Sequence, residues 1–304
     1  MLYNGIERID KIKKIIAAAN PDIILFCVDF DGTLVKICKS PYDVAVAPGL
    51  YDFLTGINNI KNVFLCIVTG RELADIEQRV NIKRNIIYSG NHGFEIKSYY
   101  EDFKLNFLVE NAGNYIPLLT EALSLVKNID ISSLIIENKK FSISMHYRLL
   151  NNSEAKFLKQ SVKNIIAKNP EFKKYLHITR GKKILEIRPR IDWNKGSACG
   201  YLVKEISKAC VVSNNGYGLA PRKSIAFSQA SIKKINILRV NIGDDITDET
   251  MFSHNYSFNL EENTFNVSLI NCVIGKKQSL ADFYLADYSR TPVFIKNIID
   301  IFSG

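Results

Sequence analysis

Asp29-Phe30-Asp31-Gly32-Thr33-Leu34 follows directly on Ile23-Ile24-Leu25-Phe26-Cys27-Val28. The leading stretch is an unbroken apolar and β-branched run, the pattern of a strand buried on both faces of a parallel sheet. Two carboxylates two residues apart therefore stand where a strand ends and a turn begins. Strand alternation aims both side chains roughly the same way. Like charges that close are costly unless a cation neutralises them or one carboxyl keeps its proton. The pair reads as a divalent-cation site or as a nucleophile beside a general acid. The bland alternative is a strand-ending turn with two solvated aspartates, so the rest of the chain has to decide.

Working outward, residues 6–19 read as an amphipathic helix ahead of this strand, and Leu50–Ile60 as a helix after it. Val63–Val68 is a second buried strand ended by Thr69-Gly70-Arg71, followed by helix Glu72–Val80, strand Ile86–Tyr88 and the polar turn Gly90-Asn91-His92-Gly93. This βαβα alternation predicts a parallel sheet with helices on both faces. The pattern then changes. A helix at Tyr115–Val126, strands at Leu134–Glu137 and Phe141–Tyr147, a helix at Ser153–Lys168 and strands at His177–Thr179 and Ile184–Ile187 predict an α+β unit with an antiparallel sheet. The first pattern resumes with helix Gly196–Lys208, strand Ile235–Ile242, a helix near Asp248–Phe252, strand Val267–Ile274 and helix Pro292–Phe302. The expectation is an α/β core, residues 1–95 and 191–304, interrupted by an inserted α+β domain at 96–190. Ser213–Ser231 reads as a long polar loop of unassigned role.

Bulk properties narrow the function classes. The chain has 304 residues, 47% of them hydrophobic and 23% charged, ordinary values for a soluble globular protein. No apolar run approaches the roughly 20 residues of a membrane span, and the N-terminus lacks a signal-peptide apolar core. A cytoplasmic protein without a membrane partner is expected, monomeric or a weak homo-oligomer. The six cysteines show no C-x-x-C spacing and read as small buried hydrophobes, and the four histidines have no zinc-ligand spacing with them. The net charge of +9 is spread over short lysine pairs rather than a basic block. It suits an anionic small molecule, and no nucleic-acid partner is expected.

Four signals stand at the carboxyl ends of predicted core strands, where parallel sheets place ligands. They are the Asp29/Asp31 pair; Thr69, whose hydroxyl can bond a phosphoryl oxygen; Lys195, opening a helix behind Trp193-Asn194; and Gly243-Asp244-Asp245-Ile246-Thr247-Asp248-Glu249. A lysine at a helix N-terminus suits a phosphate and holds a nearby carboxylate ionised. The oxygen-rich last segment suits octahedral Mg²⁺, although Thr247 and Asp248 also favour a plain helix cap.

This order of motifs resembles the haloacid dehalogenase superfamily: D-x-D-G-T, T-G-R, a lysine and G-D-D-x-x-D. A closer resemblance, over nearly the entire chain, is to the trehalose-6-phosphate phosphatases. It rests on Gly90-Asn91-His92-Gly93, Glu137-Asn138-Lys139, His146-Tyr147-Arg148, Gly181 through Pro189 running into Trp193-Asn194-Lys195-Gly196, Gly243 through Glu249, and Val273-Ile274-Gly275. One departure is Glu137-Asn138-Lys139-Lys140, where the family has E-D-K-G.

The resemblance implies a Rossmann-like core with an inserted cap, and Mg²⁺-dependent hydrolysis of a sugar phosphate, trehalose 6-phosphate, through an aspartyl-phosphate. Asp29 is then the nucleophile and Asp31 the acid–base group, with Thr69 and Lys195 on the phosphoryl oxygens. Asp29, the Asp31 carbonyl and Asp244 are the metal ligands, with Asp248 orienting the metal shell and Asp245 a lesser candidate. Glu137, Lys139 and Glu186 are expected to read sugar hydroxyls. Arg71, Lys182, Arg148 and Arg188 are expected near phosphate or sugar, the last two alternatively bracing the cap. Asn91 and His92 are expected to line the domain seam. The rival readings are another capped sugar phosphatase, such as one for sucrose 6-phosphate, a phosphomutase, and, from another class, a nucleic-acid-binding module.

Overall fold

The structure, a computed structural model, describes residues 2–214 and 234–304. In chain order it runs β1 (Tyr3–Asn4), α1 (Ile9–Ala19), β2 (Ile23–Val28), α2 (Pro48–Ile57), β3 (Val63–Val68), α3 (Leu73–Val80), β4 (Ile87–Gly90), β5 (Glu95–Ser98) and β6 (Asn106–Leu108). Then come α4 (Ile116–Lys127), β7 (Ile135–Asn138), β8 (Ile143–His146), α5 (Asn152–Lys168), α6 (Pro170–Tyr175), β9 (Leu176–Gly181) and β10 (Ile184–Pro189). The chain closes with α7 (Lys195–Asn214), β11 (Lys234–Gly243), β12 (Tyr256–Leu260), β13 (Asn263–Ile274), β14 (Phe283–Leu285) and α8 (Thr291–Ser303).

The larger sheet has the order β1-β14-β13-β11-β2-β3-β4-β5-β6, with β12 also on β13. Its neighbours from β1 through β4 are parallel, and β5, β6 and β12 are antiparallel additions. Period-two alternation divides β2 between two cores. Ile24, Phe26 and Val28 pack with α1, α2 and α8 residues such as Ile12, Leu54 and Phe294. Ile23, Leu25 and Cys27 pack against Ala198, Cys199, Leu202 and Ile206 of α7. The expected α/β architecture, with helices on both faces of a largely parallel sheet, is therefore observed.

The second sheet, β7-β8-β10-β9, is antiparallel throughout. Ile143, Met145, Leu185 and Ile187 face α4 and α5, where they join Leu119, Leu158 and Val162 in a separate core. The same alternation turns Ser144, His146 and Glu186 to the opposite face, toward the larger sheet. Helix α5 starts on a full capping box, with Asn151 and Glu154 each satisfying the other's backbone N–H.

Some boundaries differ from expectation. Strand β5 bonds to β4 and β6 to β5, so the larger sheet continues to Leu108, past the expected start of the insertion at residue 96. Short antiparallel edge strands carry little periodicity, which is why that stretch read as linker. Helix α7 runs on to Asn214, into the stretch expected to loop from Ser213. Residues 215–231 of that stretch lie outside the described residues. The segment expected to be helical at Asp248–Phe252 is a 3-10 turn, Ile246–Met251, capped by Asp245.

Candidate active site

The carboxyl ends of β2, β3 and β11 and the N-terminus of α7 converge on one cleft, roofed by β7, β8 and β10. Residues from all of these elements line it together.

Asp29 leaves β2 with its backbone N–H bonded to the Ile242 carbonyl of β11, which ties two of the motifs together at the backbone. Its Oδ2 accepts from Thr33 Oγ1 at 2.9 Å, and its Oδ1 accepts from Lys195 Nζ at 2.7 Å. Lys195 is 3% exposed and also donates to Asp248 Oδ1 at 2.6 Å. Burial works against the ammonium, but Asp248 and Asp29 outweigh it and push its pKa up, so the charge is fixed. Burial and the Asp248 charge push the Asp29 carboxyl well above its ordinary value, more than Lys195 pulls it down.

Asp248 is fully buried, and its Oδ2 accepts the backbone N–H groups of Asp244 and Asp245 at 2.8 and 2.9 Å. It thereby folds the 3-10 turn back beneath the end of β11. Two glycines permit this crowding. Gly32 holds φ +86°, and a Cβ there would lie 2.3 Å from Asp244 Oδ2; a Cβ on Gly243 would lie 2.3 Å from Asp248 Cβ. Lys182, on the β9–β10 turn, ion-pairs with Asp244 across the cleft, and Lys277 donates to the Asp244 carbonyl.

Carboxylate oxygens of Asp29, Asp244 and Asp248 all lie within 4.8 Å of one another. Three buried acids face Lys195 and a Lys182 side chain that is itself 47% exposed. Burial pushes the Asp244 carboxyl up despite Lys182. An oxygen-only donor set with surplus negative charge fits a hard divalent cation such as Mg²⁺.

Of the four expected metal-site aspartates, the carboxylate of Asp31 stands apart. It is 35% exposed and takes a bidentate contact from Arg71, Nε to Oδ2 at 2.7 Å and Nη2 to Oδ1 at 2.8 Å. Thr69 is buried in the cleft wall, its Oγ1 accepting the Arg71 backbone N–H at 3.1 Å.

Across the cleft, Glu186 Oε1 accepts from Ser142 and Ser144 hydroxyls at 2.8 and 2.9 Å, and Oε2 pairs with His92 Nε2 at 3.1 Å. Burial would raise this carboxyl, but the His92 bond and the charges of Lys139 and Arg188 hold it well below the usual range. His92 is pushed down to about 4 by burial and by Arg188, so at neutral pH the ring is uncharged and Nε2–H donates to Glu186. Glu137 pairs with His146 at 2.5 Å and with Lys139 at 3.9 Å. Burial works against it, and the His146 bond holds its carboxyl low.

Glu137, Lys139, Arg148, Lys182, Glu186 and His92 all line the cleft with Asp29, Asp31, Thr69, Arg71, Lys195 and Asp244. Arg148 reaches it from an exposed position, donating to the Lys182 carbonyl at 3.1 Å. Asn91 and Arg188 do not line it. Asn91 donates to Glu95 at 2.8 Å, and the Arg188 guanidinium lies over the Phe94 ring and 3.9 Å from Glu186. Thr33 and His146 stand inside motifs quoted above but carry no expected role, and Ser144, Arg180 and Lys277 lie outside the expected site residues. Ser144 and His146 alternate along one face of β8, and the cross-strand register sets Ser144 opposite Glu186 of β10; nothing local marks Lys277.

A family model described as trehalose-phosphatase matches residues 27–289. A probable trehalose-phosphate phosphatase 3 of Oryza sativa subsp. japonica is 26% identical over 298 residues, 94% of this chain and 71% of that protein. The trehalose-phosphate phosphatase of Mycobacterium leprae is 27% identical over 226 residues, 74% of this chain and 46% of that protein. The chain thus spans from about half to about seven tenths of these relatives. Among solved structures, the C-terminal domain of a C. albicans trehalose-6-phosphate phosphatase aligns with TM-score 0.65 and 20% identity, over 96% of both chains, a likeness of fold. With a family model matched from the first catalytic strand almost to the last helix, the chain belongs to the trehalose-phosphatase family of the haloacid dehalogenase superfamily and is a phosphatase.

Proposed function

We propose that the chain hydrolyses trehalose 6-phosphate to trehalose and phosphate, with Asp29 as nucleophile and Mg²⁺ as the cation. The observation that carries this reading is the juxtaposition across one cleft of a buried acid cluster ordered by Lys195 and a polar face bearing Glu137 and Glu186 on strands and Lys139 on the turn after β7. Phosphoryl chemistry needs positioned charge more than it needs covalent machinery.

Asp29 Oδ attacks phosphorus in line, the P–O bond to the sugar breaks, and an aspartyl-phosphate forms. Asp31 gives a proton to the departing sugar oxygen and later takes one from the water that attacks phosphorus, restoring Asp29 and releasing phosphate. To do so it has to free an oxygen from Arg71. Lys195 and Thr69 hold the phosphoryl oxygens. Asp29, Asp244 and the Asp31 carbonyl would hold Mg²⁺, with Asp248 orienting them through the backbone; the bound ion supplies compensation of the phosphate charge so that an anionic nucleophile can approach.

The inserted unit, residues 116–189, acts as the substrate-reading cap. A buried carboxylate left without its hydroxyl partner is costly, which is how Glu186 and Glu137 would discriminate polyols. Phosphate release from a panel of trehalose 6-phosphate, sucrose 6-phosphate, glucose 6-phosphate and an aryl phosphate, with and without Mg²⁺, tests the reading. Preference for another ester overturns the substrate, and undiminished turnover in Asp29→Asn overturns the mechanism.

A further inference from the structure

Arg71 stands just ahead of helix α3, and with Asp75 and Arg79 on the helix it forms Arg71-x-x-x-Asp75-x-x-x-Arg79, a spacing that lines up three alternating charges along one side. The stripe is a continuous hydrogen-bonded chain leading out of the cleft. Arg71 spends Nε and Nη2 on Asp31, Nη1 on Asp75 Oδ2 at 2.8 Å, and Nη2 again on the Pro41 carbonyl at 3.2 Å. Asp75 in turn accepts Arg79 Nε on both oxygens, at 2.8 and 2.9 Å. Arg79 Nη1 donates to the Val44 carbonyl at 2.7 Å. Pro41 and Val44 belong to the loop that walls the cleft beside Asp31.

We propose that Asp75 is a positioning residue for Asp31, acting through Arg71. The proposal rests on the reading of Asp31 as the acid–base group. Asp31 stands on a turn, partly exposed, and an unrestrained side chain there would sample several rotamers. A planar guanidinium anchored at its far edge keeps Asp31 in one orientation through a single carboxylate oxygen while the other is released for proton transfer. Asp75 holds that far edge. Without it Nη1 loses its partner, the fork is free to rotate, and Arg79 lets go of the wall loop. Arg71 makes these contacts with a side chain only 7% exposed, so its donors serve the two carboxylates and a carbonyl. Asp75 touches no reacting atom, and nothing in the T-G-R signal points to it.

The test separates leaving groups by their need for a proton. The ratio kcat/KM covers steps through leaving-group departure. A sugar alkoxide needs protonation there, and p-nitrophenolate does not. Asp75→Asn should lower kcat/KM for trehalose 6-phosphate about 10–100-fold, a fraction of the roughly 10²–10⁴ that acid–base catalysis supplies. It should lower kcat/KM for p-nitrophenyl phosphate less than about 3-fold, and Asp75→Glu should recover most of the loss. Arg71→Lys keeps the charge but not the fork and should show the same split, which covers the case of a poorly folded Asp75→Asn. Equal losses on both esters, or none, would overturn the proposal. Asp31→Asn run alongside tells the two ideas apart. If it retains sugar-phosphate turnover, the acid–base reading itself fails. If it loses turnover while Asp75→Asn shows no split, only the positioning role fails.

Discussion

Replacing Lys195 with methionine keeps the length of the buried stem and removes only the ammonium. Two charge-assisted hydrogen bonds disappear, at 2.7 Å to Asp29 and 2.6 Å to Asp248. Each such bond is worth about 1.5–3 kcal/mol, but the stranded carboxylates can take up protons. The cost of breaking a buried pair, about 3–5 kcal/mol, is therefore the better guide. At about 2 °C per kcal/mol for a chain of this size, Tm should drop by about 6–10 °C at pH 8. The pH dependence carries the diagnostic sign. Asp29 already has a folded-state pKa above its unfolded value. Above the ordinary carboxylate range the native state thus binds more protons than the unfolded one, and stability declines as pH rises. Losing Lys195 pushes that pKa further up, so the deficit should shrink when Tm is measured at pH 5. Calorimetric scans of parent and variant at both pH values, with chelator present, make the comparison. A deficit below about 1 °C at pH 8, or one that grows toward pH 5, would refute the assignment of Lys195 as the neutralising charge of the cluster.

Glu186→Gln should raise KM for the sugar phosphate about 10-fold or more and leave an aryl phosphate within about 2-fold, because a single unpaired buried polar group costs about 1–3 kcal/mol; steady-state kinetics on both esters decides. Chelation should abolish turnover and lower Tm, and added Mg²⁺ should restore both in proportion to its occupancy; a Tm indifferent to Mg²⁺ would count against the acid cluster as its site. The His92 ring should titrate near the value of about 4 set by its burial and Arg188, followed by its NMR ring-proton shifts. With its pKa depressed on folding, it costs stability as pH falls through about 6.5 toward 4, and His92→Gln should flatten that slope; a midpoint near 6.5 would contradict the buried neutral ring.

The core was readable because its determinants are local. β2 and β3 were predicted to the residue, Ile23–Val28 and Val63–Val68, since six consecutive buried apolar residues leave little ambiguity. Asp29, Thr69, Lys195 and Asp244 were readable too, because each marks the end of a predicted element, where parallel sheets put chemistry. What escaped prediction depends on partners remote in sequence. β5 exists as a strand because β4 offers an edge, and β6 because β5 does; their residues Glu95–Ser98 and Asn106–Leu108 carry only short patterns. The turn of the Asp31 carboxylate toward Arg71 spans 40 residues of sequence. The seam contact of His92 with Glu186 spans 94, and neither residue alone suggests the other.

The antiparallel sheet of the cap has one further consequence. Each strand interleaves two sets of residues, Leu185 and Ile187 holding the unit together, Ile184, Glu186 and Arg188 standing on the other side. Substitutions on the outer set leave the apolar packing of the inner one in place, so the face turned to the cleft can vary without repacking that core or the acid cluster on the separate sheet below. On the reading proposed above, a lineage could change which sugar it accepts by point mutation at alternate positions of β7, β8 and β10. A shift of one residue in register, by contrast, would exchange the two sets and lose both at once.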